Sequence, residues 1–142
     1  MGITEAEVKR KIIREVRKEG GYARRMEDKY TVGMPDVLIL MPDSPVFIAE
    51  VKVFDHLSFA PTPRQLEEMT RMSISYALCP IMIGYKLNKY YFCYPKETVS
   101  VIDCVFTQNN ETFVETLNRW WNGQVAKVID IGKSWNYIQR ER

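Results

Sequence analysis

Apolar residues change period several times along this chain, and each change marks an element. Val8, Ile12, Ile13 and Val16 recur at helical spacing, which predicts a first helix. Thr4, with Glu7 three residues on, forms a capping box at its start, and Gly20-Gly21 supplies a left-handed stop after about Lys18. Tyr22-Ala23-Arg24 reads as a short strand, followed by a charged loop to Val32. Two apolar runs then flank the turn Met41-Pro42-Asp43-Ser44-Pro45: Gly33 to Leu40 and Val46 to Phe54. They predict a hairpin. Asp55 to Ala60 is a loop. Thr62-Pro63-Arg64-Gln65 opens a second helix, with proline at the first helical position and Gln65 at the capping-box position. Leu66, Met69, Met72, Ser73 and Tyr76 continue it.

In the second half, Pro80 to Tyr85 reads as a buried strand, Lys86-Leu87-Asn88-Lys89 as a hairpin turn and Tyr90 to Tyr94 as the return strand. Val99 to Phe106 predicts a further strand. Asn109 to Trp121 predicts an amphipathic helix carrying Phe113, Leu117 and Trp120-Trp121, ended by Gly123. Val125 to Ile131 reads as a last strand or extended segment, and Lys133 to Arg142 as a polar tail around Trp135 and Tyr137. Aromatics at such spacing belong to a core or a dimer interface more readily than to base stacking.

The first hairpin carries charge where buried strands should not. Asp36 stands at the mouth of the first run. Glu50 and Lys52 sit two apart near the end of the second, so they share a face, with Val51 on the other. Paired antiparallel, the runs bring Asp36 to the end where Glu50 and Lys52 leave. Two carboxylates and an ammonium then converge on one sheet edge. Such oxygens suit Mg²⁺ or Mn²⁺, and a neighbouring lysine can orient water or offset charge on a phosphate. On the first helix, a step of about 100° per residue puts Glu5 in the middle of the apolar stripe, where an unpaired carboxylate is costly.

Pro35-Asp36 followed by Glu50-Val51-Lys52 resembles the PD-(D/E)XK nuclease signature. With Gly33 before it and Gln65 after it, the string resembles the virus-type replication-repair nuclease branch, the VRR-NUC domain, over roughly Thr4 to Ile83. The resemblance implies a restriction-endonuclease-like fold: an αβββαβ core with a mixed central sheet flanked by helices. Residues 1–142 then form one nuclease domain, with the motifs in 1–85 and a C-terminal α/β extension over 86–142. It also implies hydrolysis of phosphodiester bonds in DNA. In that reading Asp36, Glu50 and the Val51 carbonyl hold Mg²⁺, with Mn²⁺ substituting. Glu5 serves a second ion or a bridging water, Lys52 holds the attacking water and Gln65 supports it. Branched, flapped or nicked DNA and a homodimer are the implied partners. The alternative is a nucleic-acid-binding or protein-interaction module that retains the fold without turnover.

Charge adds a candidate surface. Lys9, Arg10, Lys11, Arg14, Arg17 and Lys18 crowd the first helix. Alone they describe a solvated face; beside a phosphodiester site, Lys9, Arg10 and Arg14, with Arg64 and Arg71 of the second helix, become phosphate contacts. Cys79, Cys93 and Cys104 lack paired spacing, and His56 is the only histidine, which leaves too few ligands for zinc. His56 is assigned no role. The cysteines read as free thiols of a reducing compartment. With no signal peptide and no membrane-spanning run, the expected location is intracellular, in the cytoplasm of a bacterial or phage-infected host.

Overall fold

The computed structural model describes residues 2–26, 33–75 and 78–140, except for the side chains of residues 75, 131 and 133–140. The expected loop over 27–32, the core position of Tyr76 and the side chains of Trp135 and Tyr137 lie outside the described residues.

Helix α1 (Glu5–Lys18) begins where its cap predicts, with the Glu7 amide donating to Thr4 Oγ1 at 3.2 Å. It ends through the Gly21 amide, which donates to the Val16 carbonyl at 3.0 Å behind a left-handed Gly20. Val8, Ile12 and Val16 are buried. Strands β1 (Tyr22–Arg25), β2 (Val37–Leu40) and β3 (Phe47–Val53) follow as an antiparallel meander, with Val37 opposite Ala49. The small β4 (Ser58–Phe59) and helix α2 (Pro63–Ser75) lead back to β5 (Cys79–Lys86), which lies parallel to β3. β5 turns tightly into β6 (Lys89–Cys93), with Leu87 and Asn88 both at positive φ, the geometry that suits the twist of a two-residue hairpin.

The sheet order is β1-β2-β3-β5-β6-β8, mixed because β3 and β5 alone run parallel among its pairs. Ala49, Val51, Ile81 and Ile83 face the layer of α1 and α3, while Met82 on the opposite face packs with Met69 of α2 and with Phe59. This is the expected αβββαβ succession with a helix layer on each side. No helix among the described residues is long and apolar enough to cross a membrane.

The second half departs from the sequence expectation in three places. Val99 to Phe106 is not one strand: β7 (Val99–Ser100) pairs with β4, a 3₁₀ turn spans Val101–Asp103, and β8 (Val105–Phe106) joins β6. The helix expected from Asn109 starts at Phe113, because Thr112 and Glu115 form the capping box, each bonding the other's amide at 3.1 Å. That helix, α3 (Phe113–Arg140), continues through Gly123 and the segment expected to be extended. Gly123 does not take the left-handed conformation that stops a helix, so its weak propensity costs about 1 kcal/mol without breaking the run.

Candidate metal-binding and catalytic site

The hairpin register decides the site. Asp36 sits one residue before β2, its amide donating to the Ala49 carbonyl at 2.8 Å. Its Oδ2 accepts from the Val51 amide at 3.0 Å. Asp36 is thus pinned across from Glu50, on strands that lie inside the sheet between β1 and β5 rather than along its edge. Glu50 departs from the expected exposed end of the strand, since only 1 % of its surface is accessible. Its Oε2 is buried with no hydrogen-bond partner among the described residues. Lys52, two residues on, is half-buried and lies opposite Gly84 of β5.

The two carboxyls titrate against each other. Burial, first, and then the hydrogen bond and charge of Asp36 push the Glu50 carboxyl up to about 9, with Lys52 and Lys9 opposing. Burial also works against ionisation of Asp36, but hydrogen bonds from Glu50, the Val51 amide and Lys9 outweigh it and hold Asp36 below its ordinary value. The two shifts run in opposite directions, favouring one ionised and one protonated carboxyl, the arrangement that like charges in a poorly solvated site adopt.

The third member of the cluster is Lys9. Its Nζ lies 2.9 Å from Asp36 Oδ1, with the two side chains 15 % and 20 % exposed. Lys9 is expected on the basic face of α1 with Arg10 and Arg14, yet it turns inward. The signal was available: a helical step of about 100° places residue 9 about 40° from residue 5, inside the apolar stripe that had singled out Glu5. Glu5 is half-buried one turn before Lys9. Among the described residues no three Asp, Glu, His or Cys side chains gather closely enough to hold a metal ion, so Glu5 does not close up with Asp36 and Glu50.

Gly33 places α2 against the motif. Its φ is 90°, and a Cβ there would stand 2.8 Å from the Arg64 carbonyl oxygen. The first turn of α2 therefore abuts the backbone leading into Pro35-Asp36. Gln65 is half-buried in that turn. Its Oε1 accepts from the Thr62 amide at 2.8 Å while its own amide donates to Thr62 Oγ1 at 3.1 Å, so the side chain caps its helix and its NH₂ is not used by the cap. Arg10, Arg14 and Arg64 are exposed. Arg71 is exposed too, and reaches Glu67 at 3.4 Å and Glu68 at 3.6 Å. The His56 side chain is 88 % exposed beside Asp55.

A mixed sheet that gathers two carboxyls and two lysines around its β2–β3 pair has the donor chemistry for a hard divalent cation: oxygen ligands, one of them buried and unpartnered among the described residues. No protein-family model and no curated protein matches this sequence. Among solved structures it is similar to Hjc, a Holliday junction resolvase from the archaeal hyperthermophile Archaeoglobus fulgidus, at a TM-score of 0.51 and 16 % identity over 60 % of this chain and 72 % of that one. The likeness establishes the fold, a restriction-endonuclease-like mixed sheet with flanking helices.

Proposed function

We propose that this chain is a metal-dependent endonuclease of the VRR-NUC type, hydrolysing phosphodiester bonds in branched, flapped or nicked DNA. The observation that carries the reading is the Asp36 and Glu50 pair, with a buried Glu50 oxygen that has no partner among the described residues. A buried polar atom left without a partner costs free energy, and a cation is the natural occupant. Asp36, Glu50 and the Val51 carbonyl would hold Mg²⁺, for which Mn²⁺ would substitute, and Glu5, apart from that pair, would serve a second ion or a bridging water. When bound, the ion polarises the phosphate and acidifies water.

The chain's own groups do the rest. The Lys52 ammonium holds the attacking water and offsets charge building on the phosphate. The unused NH₂ of Gln65 supports that water or Lys52 from the first turn of α2. Arg10, Arg14, Arg64 and Arg71 contact phosphates on either side, with a salt-dependent affinity. A homodimer offers two such sites to two strands, and the fold shared with a Holliday junction resolvase supports a branched substrate.

The test is cleavage of supercoiled plasmid, a flap, a four-way junction and single-stranded RNA by wild type and Lys52→Ala, in Mg²⁺, Mn²⁺ or EDTA. Metal-dependent cutting that falls on the order of a thousandfold in the variant is expected, fastest on a branched DNA. Cutting undiminished in Lys52→Ala sinks the assignment. One observation favours the alternative, a binding module without turnover: both Asp36 oxygens are already engaged. DNA affinity that survives EDTA, with no substrate cut, is its outcome.

A further inference from the structure

We infer that Lys9 is a built-in competitor of the divalent cation: it occupies Asp36 in the metal-free protein and must be displaced for the ion to bind. The inference rests on the reading of this cluster as a metal site and adds a component to it.

Three observations carry it. Lys9 Nζ lies 2.9 Å from Asp36 Oδ1, largely shielded from water. The other Asp36 oxygen already accepts from the Val51 amide, so Lys9 sits on the oxygen that is not tied to the backbone. Glu50 Oε2 beside it is buried and unpartnered. An ion drawn to that Glu50 oxygen meets an Asp36 whose charge is already neutralised by an ammonium. Two cations on one carboxylate repel, and the repulsion is weakly screened where water is scarce. The ammonium hangs on a flexible four-carbon stem from the half-buried face of α1, and it can leave without moving the helix.

Lys9 is therefore a positioning residue, with opposite effects in the two states. Without metal its ammonium sits on Asp36 Oδ1 and offsets the negative charge gathered there. With metal it is a rival. A lysine that is merely structural would affect both states in the same direction.

The experiment measures Mn²⁺ binding by electron paramagnetic resonance of the free ion, and melting temperature in EDTA and in Mn²⁺, for wild type, Lys9→Met and Lys9→Arg. Lys9→Met is expected to bind Mn²⁺ at least tenfold more tightly, to melt lower than wild type in EDTA, and to gain more from Mn²⁺ than wild type does. Lys9→Arg keeps the charge and is expected to stay within about threefold of wild type, with a melting temperature that reports intact folding. Equal or weaker Mn²⁺ binding by Lys9→Met overturns the competitor role and leaves the metal site standing. Mn²⁺ binding by none of the three proteins overturns both.

Discussion

At Gly33 the backbone takes a φ of 90° and runs against the first turn of α2, the Arg64 carbonyl carbon standing 2.9 Å from where a Cβ would be. Gly33→Ala meets two penalties together, the left-handed conformation and the contact with backbone that cannot swing away. A loss of about 2 kcal/mol or more is expected in urea unfolding, and a loss below about 0.5 kcal/mol would contradict the contact. Glu50 gives the opposite sign. Its carboxyl is pushed from 4.5 up to about 9 in the folded state. The folded protein keeps a proton that the unfolded chain releases, so this group weakens stability progressively as pH rises from 4.5 towards 9. Glu50→Gln removes the titration at nearly constant shape. In EDTA its melting temperature is expected to pull ahead of wild type as pH rises through that window, while Mn²⁺ binding is lost. A difference independent of pH would speak against a buried Glu50. Strand alternation put Glu50 and Lys52 on one face, because the period of a strand fixes which residues share a face, and the hairpin pairing brought Asp36 across from Glu50. Lys9 escaped because it was grouped by charge with its neighbours rather than by angle with Glu5.

At the scale of elements, the polar stretch before α3 carries more than a cap. Arg119 donates to both Glu111 oxygens at 2.9 Å and to the Phe106 carbonyl at 2.6 Å, tying the helix to β8. The Arg119 hydrogen bond, ahead of those from the Gln108 amide and Thr116, holds the Glu111 carboxyl down at about 2. A depressed carboxylate contributes stability above its unfolded value of 4.5 and loses it as pH falls towards 2. Glu111→Gln is expected to melt below wild type at pH 7 and to converge with it near pH 2. Parallel melting curves down to that pH would rule out the clamp. The Thr112-x-x-Glu115 spacing is present in the sequence, and the start expected at Asn109 overlooks it. The segment after Gly123 was misread for a different reason. Val125, Val128, Ile129 and Ile131 are β-branched and favour strands on propensity. The helix already nucleated on the buried Phe113, Leu117 and Trp120 extends through them, since propagation is cheap once a helix is anchored.

Across the whole molecule, the order of elements through β5 was legible because hairpins and one parallel return leave few topologies open, except for the two-residue β4, which falls in the expected loop 55–60 and exists only through its pairing with the distant β7. Which strands pair beyond β6 depends on contacts distant in sequence, and there the reading stopped. The same view separates two halves of α3. Phe113, Leu117 and Trp120 are buried, and Trp120 and Trp121 pack on Phe47 of β3. From Val125 on, the described side chains through Asp130 are all exposed, Val128 and Ile129 among them. With 28 residues the helix is about 42 Å long, and its second half adds no described side chain to the core. Hydrophobic stabilisation follows the apolar area removed from water, so the stretch 125–130 adds little to the fold of a single chain. A protein ending at Gln124 is expected to keep its urea midpoint, losing less than about 1 kcal/mol, and to bind Mn²⁺ as the full chain does. A loss of several kcal/mol at dilute concentration would show that the second half packs on the body of its own chain. A loss that appears only as concentration is raised, with the full chain gaining stability there, would place its contacts on a second copy instead.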